Sequence, residues 1–145
     1  MGVGYAEDLV VCVALGIDMF DCVFPTRTAR FGNALTSKGT LNIKSNKFAH
    51  DFSPIEETCD CITCKSFTRA YIHTLATRET VGCHLLTLHN LSYQLRLMRS
   101  IREAIIEDRY PEFIQKFFKE LFGGREKYPE WAVNALRSVN IELLP

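Results

Sequence analysis

Three cysteines, Cys59, Cys61 and Cys64, fall within six consecutive positions of this chain. A disulfide framework is poorly served by thiols packed so closely, but their spacing lets several thiolates converge on one ion. Zinc takes four nitrogen or sulfur donors in a tetrahedron at about 2.0–2.3 Å, and a tight loop supplies three of them without strain. The fold is constrained accordingly: a loop is ordered by metal, and a fourth donor must return to it from elsewhere. His73, His84 and His89 are the candidates downstream and His50 lies just upstream. His89 and His84 both lie near the start of a long helical pattern that can face back onto the loop, and spacing alone does not choose between them. Three reduced cysteines without metal remain the alternative. An iron–sulfur cluster wants a fourth Cys, and none lies nearby. With all four positions filled by protein, the ion would be structural, with no open position to activate water. Cys12, Cys22 and Cys83 stand in apolar surroundings and read as small buried hydrophobes.

The rest of the chain is ordinary globular material. Its 145 residues suit one domain, and a 47% hydrophobic fraction excludes wholesale disorder. Lys plus Arg number 17 against 17 Asp plus Glu, so any nucleic-acid contact must come from a local patch rather than from overall charge. The longest apolar run, residues 9–17, is too short for a bilayer and follows the acids Glu7 and Asp8, unlike a signal peptide. A soluble intracellular protein without a transmembrane segment is expected.

Periodicity predicts a helix over residues 7–15, stopped by Gly16, and then an apolar strand over 17–24 closed by Pro25. Residues 26–50 turn polar, with a hairpin strand at 40–43 and a turn at Ser37-Lys38-Gly39. Residues 51–64 read as a loop, and 66–78 as a helix with Phe67, Ala70, Tyr71 and Leu75 on one side. Leu88, Leu91, Leu95, Met98, Ile101 and Ile105 step by three and four, which predicts a long amphipathic helix facing inward along that stripe. Residues 111–122 form a further helix packing Phe113, Phe117 and Phe118 and stopping at Gly123-Gly124, and 131–139 a last turn or two. One helix-then-strand unit cannot close a parallel sheet, so the pattern looks like the end of a larger α/β domain.

Two further features carry chemistry. Asp21 stands at the C-terminal end of the expected strand among Met, Phe, Cys and Val, where a carboxylate is expensive to bury without a partner or a task. At the strand ends of a parallel barrel such a group serves as general base or as a nucleophile toward an anomeric carbon. The plainer reading is a turn cap or a partner for Arg27. Asp18 has the opposite parity and faces helices or solvent. Arg27, Arg30, Lys38, Lys44 and Lys47 follow, either as a solvated basic loop or as a phosphate-contacting surface.

Together these motifs resemble the tRNA-guanine transglycosylases, and within them the eukaryotic catalytic-subunit branch. The resemblance rests on Met1-Gly2-Val3-Gly4, Asp18-Met19-Phe20-Asp21-Cys22-Val23-Phe24-Pro25-Thr26-Arg27, Cys59-Asp60-Cys61-Ile62-Thr63-Cys64, Ser66-Phe67-Thr68-Arg69-Ala70-Tyr71 and His89-Asn90-Leu91, and extends to about Phe118. It implies an α/β fold, the C-terminal part of a (βα)8 TIM barrel with an inserted zinc-binding subdomain and C-terminal helices. Residues 1–36 would hold the last barrel helix and strand with an active-site loop, 37–92 the zinc subdomain, and 93–145 the closing helices. A whole barrel needs about 250 residues, so a fragment or short isoform is implied.

The resemblance further implies that Asp21 is the nucleophile of a base exchange replacing the wobble guanine of a tRNA anticodon with queuine. Met1 and Gly2 would line the base pocket. Gly2, Val3, Gly4, Tyr5, Ala6, Glu7 and Asp8, and the loop Thr26, Arg27, Thr28, Ala29 and Arg30, would contact RNA. Cys59, Cys61, Cys64 and His89 would hold one structural zinc. Partners would be tRNA, the queuine or guanine base, and an accessory non-catalytic subunit in a heterodimer. The location would be cytoplasmic, with peripheral attachment to the mitochondrial outer membrane as a further implication. The family's general acid/base, an upstream aspartate, has no counterpart here, so this chain alone is expected to be inactive. The competing reading is a non-catalytic zinc-containing RNA-binding or accessory subunit of the same complex.

Overall fold

The structure is a computed structural model and describes residues 1–144. Seven α-helices and one two-stranded antiparallel sheet make up its regular elements: α1 (Ala6–Ala14), α2 (Phe24–Arg30), β1 (Asn33–Thr36), β2 (Gly39–Asn42), α3 (Ile62–Ser66), α4 (Arg69–Arg78), α5 (Val81–Ile106), α6 (Tyr110–Phe122) and α7 (Glu130–Ser138). They fall into two compact units. One comprises Met1–Phe24 together with the residues from Arg96 onward, and the other Pro25–Leu95. Helix α5 contributes residues to both. Among the described residues no helix is long and apolar enough to cross a membrane.

The first unit is a small helical core. The helix expected after the Glu7-Asp8 pair forms as α1, and Leu9, Val10 and Val11 are its buried face. They share a cluster with Leu97, Ile101, Ile114, Phe117, Phe118, Ala132 and Leu136. Aromatic residues at three- and four-residue spacing place several rings on one side of α6. Phe118 meets Phe117 and Tyr128 edge to face, at centroid distances of 5.8 and 5.6 Å. The Tyr110 hydroxyl donates to Val10 O at 2.8 Å, and burial pushes its phenol above the ordinary range. Gly123 ends α6 with φ of +80°, a conformation that glycine adopts without strain.

The segment 17–24 corrects the expectation of a strand. It has no ladder, and Ile17, Met19 and Val23 are exposed. A barrel strand needs a neighbour on each side, and the two strands present among the described residues pair with each other. Among the described residues, what forms is therefore a helix-dominated structure with one hairpin.

In the second unit β1 and β2 pair in the register Asn33↔Asn42 to Thr36↔Gly39, around the turn expected at Ser37-Lys38. The first strand escapes pattern reading because Ala34, Leu35 and Thr36 are all buried and do not alternate. Loop 51–61 is tied down by Arg69. Its guanidinium bonds Asp51 Oδ2 at 3.0 Å and Ile55 O at 2.8 Å. Helix α4 opens on Thr68, whose hydroxyl accepts from Tyr71 N. Its buried face is Ala70, Ile72, His73 and Ala76; Tyr71 is exposed and stacks on Phe67 at 5.3 Å.

Helix α5 spans the stretch expected of the long helix, but of the expected stripe only Met98 and Ile101 turn inward. Leu88, Leu91, Leu95 and Ile105 are exposed, while Leu86, His89, Asn90 and Tyr93 are buried in one unit and Leu97, Ile101 and Ala104 in the other. Over its first half the helix carries two apolar stripes, and counting apolar residues favours the exposed one because the inward stripe contains a histidine and an asparagine.

Candidate functional site

The loop before α3 and the middle of α5 bring four donors together. Cys59 Sγ, Cys61 Sγ, Cys64 Sγ and His89 Nδ1 all lie within 4.8 Å of one another. From Nδ1 the three sulfurs are 3.7, 3.6 and 3.3 Å away. An ion bonded at about 2.3 Å to sulfur and 2.0–2.1 Å to nitrogen separates those atoms by roughly 3.6 Å in a tetrahedron, so the donor set fits one metal ion. Burial and the neighbouring Cys59 and Cys61 push the Cys64 thiol up to about 12. A cation held between the three sulfurs would offset that cost for Cys64.

Local structure holds each donor in place. Cys61 caps α3, its sulfur accepting from Cys64 N at 3.4 Å. Thr63, fully buried, donates its hydroxyl to Leu85 O at 2.9 Å, which pins α3 to α5. His89 Nε2 lies 2.8 Å from Leu35 O. A carbonyl only accepts, so Nε2 carries the proton and the Nδ1 lone pair faces the sulfurs. The other histidines are elsewhere: His73 Nδ1 bonds Ile43 O at 2.8 Å, and His50 and His84 are exposed. The choice that spacing leaves open is therefore made by the fold in favour of His89.

The segment bearing Asp21 lies in the other unit, alongside the chain start. Gly2 N donates to Asp21 O at 2.7 Å. A Cβ on Gly4 would meet Cys22 Sγ and Phe24 Cβ, each at 2.6 Å, so only glycine lets the two segments approach this closely. The rings of Tyr5 and Phe24 follow at 4.5 Å. The backbone thus sets Met1 and Gly2 beside Asp21, whose side chain is exposed rather than buried among apolar groups. Val3, Ala6, Glu7 and Asp8 are half-buried, and burial raises Glu7 and Asp8 above the ordinary carboxylate value.

Thr26, Arg27, Thr28, Ala29 and Arg30 were expected in a loop and instead form most of α2. Pro25 fits the first turn of a helix, where its missing N–H costs nothing, and Ala29 supplies a buried contact. Arg27 and Arg30 are both exposed. The scattered cysteines correct another expectation: Cys12, Cys22 and Cys83 are half-buried rather than buried, and Cys83 Sγ reaches Arg30 O at 3.5 Å.

Pattern reading also misses Asn90. It is fully buried beside the His89 ligand and bonds three backbone groups more than fifty residues earlier in the chain. Its signal was present, as the polar interruption of the stripe Leu86, Asn90, Tyr93, Leu97.

A family model described as queuine tRNA-ribosyltransferase matches residues 1–122. A queuine tRNA-ribosyltransferase catalytic subunit from Schizosaccharomyces pombe is 59% identical over 152 aligned residues, covering 99% of this chain and 38% of the relative. The catalytic subunit of the same name from Caenorhabditis elegans is 50% identical over 85% of the chain and 31% of the relative. A queuine tRNA-ribosyltransferase from Thermus thermophilus is 49% identical over 94% of the chain and 35% of the relative. The chain therefore spans less than two fifths of the length of these relatives, from its first residues through the cysteine loop and α5. On that evidence it belongs to the queuine tRNA-ribosyltransferase family.

Proposed function

We propose that this chain carries the nucleophile-bearing and metal-binding part of a tRNA base-exchange enzyme. The observation that supports this most is the 2.7 Å bond from Gly2 N to Asp21 O, which seats a candidate base-pocket segment against a candidate nucleophile. In this reading one Asp21 oxygen attacks the ribose anomeric carbon of the wobble guanosine. The C–N bond to guanine breaks, and the guanine nitrogen takes its proton from a general acid outside this chain. A ribosyl ester on Asp21 results. The incoming queuine nitrogen gives its proton to the same group outside this chain, now acting as a base, and attacks the same carbon; the ester bond breaks, and Asp21 returns as a carboxylate. This double displacement follows the logic of a retaining glycosidase. Met1 and Gly2 line the space for the ring, the stretch from Gly2 to Asp8 contacts RNA, and Arg27 and Arg30 on α2 meet phosphates.

Zinc is the ion best suited to the Cys3His set, and with four protein donors it orders the loop and supplies no chemistry to the substrate. Residues 17–23 become the eighth barrel strand once neighbouring strands flank them, which would cover the exposed Ile17, Met19 and Val23. Residues 1–36, 37–92 and 93–145 then serve as barrel end, zinc subdomain and closing helices. The enzyme works on tRNA in the cytoplasm with an accessory subunit, and peripheral attachment to the mitochondrial outer membrane belongs to the same proposal.

Purified alone, this chain retains zinc and exchanges no base. Incorporation of labelled guanine into tRNA by the isolated chain, abolished by Asp21→Ala, would show that assignment wrong. Placed in a full-length relative such as the S. pombe protein, it forms a covalent tRNA adduct that mass spectrometry locates on Asp21. An adduct on any other residue overturns the mechanism.

A further inference from the structure

The metal centre and the cationic helix α2 lie in the same unit, and one buried side chain beside a metal donor reaches the backbone at both ends of the α2 stretch. Asn90 follows the ligand His89 on α5 and is 0% exposed. Its Nδ2 donates to Pro25 O and to Asn33 O, both at 3.0 Å, and its Oδ1 accepts from Leu35 N at 2.9 Å. The three bonds fix the amide's orientation. An N–H faces the oxygen and two carbonyls face the nitrogen, so the flipped amide would lose all three.

Their placement gives the group its consequence. Pro25 is in the first turn of α2 and Asn33 is the first residue of β1, so the amide holds both ends of the stretch that carries Arg27, Arg30 and Phe31. Leu35 is held twice, its N–H by Asn90 and its carbonyl by His89 Nε2 at 2.8 Å. The His89 bond is the one that turns Nδ1 toward the sulfurs. Two consecutive residues of α5 thus bind the metal loop on one side and the α2–β1 backbone on the other. A buried leucine would fill the same volume but would leave three backbone groups without these partners.

We propose that Asn90 is a positioning residue that fastens α2 to the metal centre, so that Arg27 and Arg30 are held ready for the phosphates of an anticodon loop. The RNA half of this statement rests on the function proposed above; the mechanical half does not. The metal then acts on RNA affinity at a distance, through the Cys3His set, His89–Leu35 and Asn90.

The test compares the whole chain with its Asn90→Asp and Asn90→Leu variants, in zinc-loaded form. Zinc per chain is measured, along with amide exchange and binding to an anticodon stem-loop RNA with a wobble guanine. Asn90→Asp keeps the shape and the acceptor but sets a carboxylate against two carbonyls. Zinc stoichiometry stays at the wild-type value, exchange accelerates at Leu35 and across residues 26–31, and RNA binding weakens by about tenfold, the scale of one lost phosphate contact. Arg27→Ala weakens the wild type but adds little in the Asn90→Asp background, because the arginine is already misplaced.

Loss of zinc in both variants, or unchanged exchange across 26–31, overturns the mechanical claim. Strict additivity with Arg27→Ala overturns the link to phosphate binding. If the wild-type chain binds no RNA while Asn90→Asp still loosens α2, the RNA reading fails and the strut stands.

Discussion

The Pro25–Leu95 unit and the unit around Phe118 are of similar size but are held together by different physics. The first buries a modest set of aliphatic residues around Ile43, Ile55, Ile72 and Leu86, and spends much of its interior on polar groups: Thr63, His73, His89 and Asn90. Each of these four is bonded to a backbone carbonyl from a distant stretch, so its loops are specified by directional contacts and by four metal donors. The second buries Phe117, Phe118 and Tyr128 with the aliphatic faces of α1, α5 and α7. Non-directional burial suffices there because helices satisfy their own backbones. The lesson is one of vulnerability. The first unit should fail when one atom type is removed, the second only when volume is.

Stripping the metal, or replacing Cys64 with Ser, tests that contrast most severely. Structural zinc supplies on the order of 10 kcal/mol to small domains, more than the Pro25–Leu95 core can replace. Amide protection in β1, β2 and α4 should vanish while α6 and α7 keep theirs. If protection is lost together in both units, the contrast is false. The converse is Phe118→Ala, which should cost about 3–5 kcal/mol through the cavity it leaves, with zinc per chain unchanged.

The smallest expected effect concerns Asp51, whose carboxyl is held below the ordinary value chiefly by hydrogen bonds from Ser53 and then by Arg69. A lowered folded-state value means the stabilisation is present above the unfolded carboxylate value near 3.8 and fades as pH falls through the folded one. Asp51→Asn should therefore be less stable than wild type at pH 6, with the gap narrowing below pH 4. Denaturant midpoints of the two proteins across that range check the sign, and a gap that widens on acidification would refute it. The carboxyl is partly exposed, so the difference should be modest.

Much of the helical framework was legible from sequence. α1, α6 and α7 match their expected bounds within one or two residues because local periodicity and glycine stops are short-range signals. The cysteine loop was legible for the same reason, since three donors within six positions need no tertiary knowledge. The inward face of the first half of α5 was not. Its exposed stripe, with Leu88, Leu91 and Leu95, is the more apolar by count, and only packing reveals that His89 and Asn90 are inside. The strand expected at 17–24 does not form in this chain because an apolar run becomes a strand only where a sheet exists to receive it. Likewise the expected RNA-facing loop became α2 once Ala29 found a buried contact.

Sequence alone determined which atoms can bind metal, where the helices stop, and that a carboxylate stands next to a basic stretch. These are properties of residues near one another along the chain. Tertiary structure decided which histidine completes the metal set, which face of α5 turns inward, and what Asn90 holds, because each depends on groups more than twenty positions apart meeting at hydrogen-bond distance. A one-dimensional pattern records what a side chain can do. Only the folded chain records which partner is within reach.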